Sequence, residues 1–140
     1  MIGDNAHATP RNDMQNFGFT KLVVGDLDRC AAFYESVFGL KPQNRIDAVL
    51  CGRAISEIVY EPTSSGGGTF VLLAFHDTPV PAHGEIIVGF ISPQVDELTA
   101  RIVAAGGAIL QAPNDAPEHG LRIAIAADPE GHMIEIIKPL

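Results

Sequence analysis

Apolar and polar positions along this chain follow two rhythms, and the order of the rhythms repeats. Phe17 to Val24 alternates as a strand does, and Gly25-Asp26 turns the chain. From Leu27 to Phe38 the apolar residues Leu27, Cys30, Tyr34, Val37 and Phe38 recur at threes and fours, which predicts a helix widened by Phe33. Asp26 is placed to cap its start, Gly39 to end it in a left-handed turn, and Pro42 forbids continuation. Gln43 to Leu50 and Arg53 to Glu61 then read as strands separated by Cys51-Gly52, a hairpin-like break. A Gly- and Ser-rich loop, residues 61–68, leads to a further strand, Thr69 to Phe75.

After a proline-rich connection, residues 76–84, the same order restarts. Glu85 to Ile91 is a strand. Ser92 is expected to cap a helix with Pro93 at its first position, and Asp96 and Glu97 suit the positive end of its dipole. Val95, Leu98, Ile102 and Ala105 form its apolar stripe, and Gly106-Gly107 ends it. Ala108 to Ala112, His119 to Ala127 and His132 to Lys138 predict three more strands.

The order is therefore β-α-β-β-β twice. A shift of 68 places Phe19 on Ile87, Leu22 on Phe90, Asp28 on Asp96 and Gly39 on Gly107. Late in each half the shift falls to 63, which sets Gly68 on Gly131 and Leu72 on Glu135. Units this short cannot bury a sheet face alone. The expected class is α+β: two βαβββ modules in tandem forming a curved mixed sheet, a cup, with helices outside. Residues 1–16 are expected to form a loosely ordered tail and 17–138 a single domain, its modules at about 17–76 and 85–138.

Composition narrows the class of partner. With 140 residues, 46% hydrophobic and 19% charged, the chain has the makeup of one ordinary globular domain. A net charge of -8 and no Lys/Arg cluster argue against nucleic acid or an anionic membrane. No apolar run approaches the roughly 20 residues that cross a bilayer. The N-terminus has no basic segment followed by an apolar block, and Cys30 and Cys51 lack the spacing of a zinc site or a disulfide framework. Reduced, packed cysteines in a cytoplasmic protein are the expectation.

The residue that breaks the pattern is Glu135. Asp128-Pro129-Glu130-Gly131 reads as a turn, and the strand after it places this carboxylate between Ile134 and Ile136. Isolated anions are rarely buried, so Glu135 faces either water or a polar cavity lined by the sheet. Alternation sends Met133 and Ile137 to its face, with Phe19, Lys21 and Val23 on the matching face of the first strand and Ile87, Gly89 and Ile91 on that of the fifth. Such surroundings suit a carboxyl that transfers protons, with Lys21 or Arg122 as the partner that would quieten it. Glu57 and Tyr60 fall on opposite faces, Glu57 expected toward solvent, and Tyr34 is expected to pack with its hydroxyl at a rim. His7, His76, His83 and His132 read as surface histidines, whereas His119 opens the strand next to Glu135 and is the histidine best placed to touch a ligand. No nucleophile elbow, phosphate loop or dinucleotide fingerprint is present.

Three pieces resemble the vicinal oxygen chelate superfamily, also called the glyoxalase/bleomycin-resistance/dioxygenase family. They are Val24-Gly25-Asp26-Leu27-Asp28 with Phe33-Tyr34 and Phe38-Gly39-Leu40, then Ala105-Gly106-Gly107, then Asp128-Pro129-Glu130-Gly131 through Glu135. The resemblance implies a cup for a small molecule and a homodimer. In metal-dependent members it also implies four ligand positions, which fall on Phe19, about Leu72, Ile87 and Glu135. Phenyl and alkyl groups have no lone pair to give, so no metal and no other cofactor is expected. The expectation is an apolar cup for an apolar or aromatic compound, with Glu135 as acid or base in a lyase- or isomerase-type reaction. Phe19, Lys21, Leu72, Ile87, His119, Arg122 and Met133 are its candidate lining. The alternatives are an antibiotic-sequestering binder, a metal-dependent lyase or dioxygenase with relocated ligands, and an interaction module whose cup is packed shut.

Overall fold

The structure, a computed structural model, describes residues 17–79, 84 and 86–140. The expected tail and the linker residue His83 lie outside the described residues, as does His7. The first module runs β1 (Phe19–Val23), α1 (Leu27–Phe38), β2 (Pro42–Leu50), β3 (Arg53–Tyr60) and β4 (Thr69–Phe75). The second runs β5 (Ile87–Ile91), α2 (Val95–Ala104), β6 (Ala108–Ala116), a short 3-10 turn (Pro117–His119), β7 (Leu121–Ala127) and β8 (Met133–Pro139). The α+β class and the tandem modules are as expected. The strands hydrogen-bond as two four-stranded sheets, β1-β4-β3-β2 and β5-β8-β7-β6, in which the first strand of each module runs parallel to its last. No described helix is long and apolar enough to cross a membrane.

Local chemistry accounts for the element ends. Asp26 caps α1 by accepting from the Arg29 N–H, and Gly39 closes the helix at φ 69°, where a side chain would be strained. Pro42 is tolerated because β2 is an edge strand. Two boundaries differ from the sequence expectation. The second helix starts at Val95, after Pro93, because the Ser92 hydroxyl accepts from the Gln94 N–H and holds a turn there. The strand expected to stop at Ala112 continues to Ala116 through two register shifts against β7, which let it bend past Pro113.

Both sheets send alternate residues into one core. Leu22, Ile58, Tyr60 and Leu72 from the first sheet join Ala124, Ala126, Ile134 and Ile136 from the second, with both helices contributing. Phe38 on α1 stacks on Phe90 of β5 at 3.7 Å between ring centroids, and Tyr34 lies against Phe70 and Phe90. Gly107 shows how closely the halves meet. A Cβ there would lie 2.5 Å from the Ala127 carbonyl and 3.1 Å from the Phe33 ring of α1. With one face of each sheet given to this shared core, the opposite, open faces lie on the outside; Phe19, Ile87 and Ile91 are exposed on them, whereas Ile55, Val71 and Leu73 at the centre of the first sheet are buried.

Candidate functional site

Register decides what accompanies Glu135. On β8 it is paired with Gly89 of β5 and Ile125 of β7, while Ile87 pairs with Met133 and Ile123 with Ile137. Glu135 therefore stands half-buried on the open face of the second sheet, ringed by Ile87, Ile91, Met133, Ile137, Ile123 and Ile125. Gly89 leaves a gap at its side, since a Cβ built there meets nothing within 4 Å.

Four carboxylates sit on strands, and three are taken. Asp47 accepts from Ser56 at 2.6 Å, Glu57 pairs with Lys21 at 2.8 Å, and Asp115 pairs with Arg122 at 3.0 Å. Among the described residues Glu135 has no side-chain partner. The two cations proposed to quieten it are spent elsewhere. Lys21 faces outward on β1, but its ammonium is held by Glu57 from β3. Arg122 belongs to the opposite face of β7 from Ile123, where it bridges Asp115 and Asp96.

Other expected lining residues are corrected by the fold. Leu72 is fully buried in the core on the α1 side of its sheet, and its neighbour Val71 occupies the open face. His119 ends the 3-10 turn and is exposed, apart from the Glu135 face. Phe19 lies on the open face of the first sheet, so only Ile87, Met133 and Glu135 of the predicted set share one surface. Glu57 is buried, because a β3 residue on that face is flanked by β2 and β4 and neutralised by Lys21. Cys51, by contrast, is exposed at φ 50° in the tip of the β2–β3 hairpin.

The Asp128-Pro-Glu-Gly-His turn is more than a turn. The Glu130 carboxylate accepts from the Gly25 and Asp26 N–H groups at the start of α1. Asp128 is buried and accepts from the Tyr34 hydroxyl, from the Glu130 and His132 N–H groups, and from His132 Nδ1 at 2.8 Å. His132 Nε2 lies 3.1 Å from the Val23 carbonyl. A carboxylate and a carbonyl both accept, so this arrangement favours a proton on each ring nitrogen and the charged form of His132. Burial opposes that charge, but the Asp128 hydrogen bond and charge outweigh it and hold the imidazole above its usual range. Burial likewise pushes Asp128 upward, and its bonds from His132 and Tyr34 overcome this and hold it below the usual carboxylate range. Burial and Asp128 push the Tyr34 phenol up, so it stays a donor. This buried cluster ties the end of the second module to β1 and α1 of the first. Sequence reasoning placed His132 on the surface and the Tyr34 hydroxyl at a rim; both are buried, on partners that lie 109 residues from His132 (Val23) and 94 from Tyr34 (Asp128).

Comparison with known proteins agrees with this architecture. The model of the Glyoxalase/Bleomycin resistance protein/Dioxygenase superfamily matches residues 16–136. The chain is 33% identical over 138 residues to the lactoylglutathione lyase GLX1 of Arabidopsis thaliana, covering 92% of this chain and 46% of that protein. It thus spans about half the length of the curated relatives it matches first. It is 30% identical over 128 residues to a probable lactoylglutathione lyase of Vibrio cholerae, covering 85% of this chain and 87% of that one. A glyoxalase family protein of Bacillus cereus shares the fold at a TM-score of 0.78 and 20% identity, over 95% of this chain and 99% of its own.

These relatives overturn the expectation that no metal is taken, since lactoylglutathione lyases are a metal-dependent branch. The donors at hand do not themselves compose the family's centre. Phe19 and Val71 on the first sheet and Ile87 on the second have no lone pair to add to Glu135, and among the described residues no three His, Cys, Asp or Glu side chains come together. The fold, the repeated modules and the family match together lead to one statement: the chain belongs to the Glyoxalase/Bleomycin resistance protein/Dioxygenase superfamily.

Proposed function

We propose that the open face around Glu135 is a small-molecule site where this carboxylate moves a proton in a lyase- or isomerase-type reaction on an apolar or aromatic compound. The observation that carries it is the contrast among strand carboxylates. Asp47, Glu57 and Asp115 are each tied to a partner, and Glu135, beside the gap at Gly89, has none among the described residues. An untied carboxylate in an apolar ring can reach a ligand without first breaking an ion pair. The naming of two relatives as lactoylglutathione lyases supports the reaction class.

A homodimer fits the same reading. β1 and β5 are edge strands with unpaired backbone, and each borders an open apolar face. A second copy that brings its β1 beside β5 would wall the Glu135 face with Phe19, Lys21 and Val23 of the other chain.

The test is proton exchange. A panel of aromatic and aliphatic α-hydroxy and α-keto compounds is incubated with the protein in D2O, with divalent metal supplied, and deuterium uptake is read by mass spectrometry. Wild type is expected to exchange at least one compound and Glu135→Gln to lose about 100-fold or more of that rate. Undiminished exchange in the variant removes Glu135 from the chemistry. Stoichiometric binding without any exchange assigns the face to sequestration instead.

A further inference from the structure

The two open faces differ in the charges they carry. On the first sheet, the open face carries Lys21 and Glu57, joined at 2.8 Å, and at its far end Arg53 and Asp77, joined at 2.6 Å. Each cation also lies over an aromatic ring of that face, Lys21 at 5.7 Å from the Phe19 centroid and Arg53 at 3.7 Å from that of Phe75. Both are thereby held in place as well as neutralised. On the second sheet the open-face positions of β5, β7 and β8 hold one charge, Glu135. The sum over the described open-face residues is one unmatched negative charge, whether the faces act singly or close on one another. The chain as a whole, at -8, adds a field of the same sign.

We infer that the site takes an uncharged or cationic apolar compound and turns away carboxylates and phosphates. The inference rests on the proposed role of the Glu135 face as a ligand site and names the ligand class of that site. An anion entering here would lose its hydration against isoleucine and methionine side chains, and the described cations of the open faces, Lys21 and Arg53, are already bonded to carboxylates. A neutral ring system meets only shape and apolar surface. An amine finds Glu135 at the gap left by Gly89. A glutathione conjugate carries two carboxylates and would need cations that the described faces have already committed. The ligand class thus departs from the one in the relatives' names.

Three probes with one ring system separate the possibilities: 2-naphthylmethanol, 2-naphthylmethylamine and 2-naphthoate, with S-lactoylglutathione beside them. Dissociation constants are read by ligand-observed NMR at low and physiological salt on the full chain. The alcohol and the amine are expected to bind at least about tenfold tighter than the naphthoate, with the amine weakening and the naphthoate strengthening as salt rises. Where a second copy brings its first-sheet face against the Glu135 face, Glu57→Gln, which leaves the Lys21 charge unmatched, is expected to tighten naphthoate about tenfold. Glu135→Gln is expected to remove the amine's salt dependence, and it serves alone if the Glu57 variant does not fold. Naphthoate or lactoylglutathione binding as tightly as the alcohol overturns the inference while proton exchange leaves the proposed function standing. Failure of all four probes to bind overturns both.

Discussion

Replacing Asp128 by alanine removes the carboxylate that Tyr34 and His132 share. The side chain is wholly buried and accepts from the Tyr34 hydroxyl, the Glu130 and His132 N–H groups and the His132 ring. Removing the carboxylate bonded to the buried His132 ring costs about 3–5 kcal/mol. The Tyr34 hydroxyl loses its acceptor for about 1 kcal/mol more. A total of about 4–6 kcal/mol corresponds to a fall in Tm of roughly 12–20 °C for a domain of this size. Urea unfolding at several pH values checks the origin as well as the size. In wild type the folded pKa of His132 is raised, so its contribution is complete below about pH 6.5, the unfolded value. Above that pH the unfolded chain has released a proton that the native chain keeps, and stability falls as pH rises through the folded value. Asp128 is lowered, so its contribution is present above about pH 3.9 and lost as pH falls through its folded value. The gap between wild type and Asp128→Ala should be widest between these limits and narrow on either side. A gap below about 1.5 kcal/mol, or one that does not change with pH, would refute the buried ion pair.

Further expectations follow from single contacts. Tyr34→Phe should cost about 1 kcal/mol in wild type and close to nothing in the Asp128→Ala background, a coupling read by a double-mutant cycle in urea. Gly107→Ala should cost about 2–3 kcal/mol in the same assay, because its Cβ would press on the Ala127 carbonyl at 2.5 Å and on Ile102 at 2.7 Å. Gly89→Leu meets open space, so Tm should stay within a few degrees while proton exchange and probe binding at the Glu135 face are lost.

How much of this was legible in the chain can be followed residue by residue. Periodicity located both helices, because a 3.6-residue rhythm such as Leu27, Cys30, Tyr34, Val37 is a property of consecutive residues. Alternation placed Met133 and Ile137 with Glu135, because a strand has a period of two whatever it packs against. The repeat gave two modules, but its late shift of 63 put Leu72 opposite Glu135, and the β1–β4 register places Val71 there. One residue of error moves a strand side chain to the other face.

The sequence by itself determined the elements, their order and the company each strand residue keeps along its own strand. Only the tertiary structure decided which charges meet: Lys21 finding Glu57, Arg122 finding Asp96 and Asp115, and His132 closing on Asp128 and Val23 across the modules. The reason is range. Backbone periodicity acts within a few residues, whereas an ion pair needs two side chains brought within about 3 Å by the register and packing of distant segments. Glu135 is a candidate for chemistry because of what those distant pairings left it without.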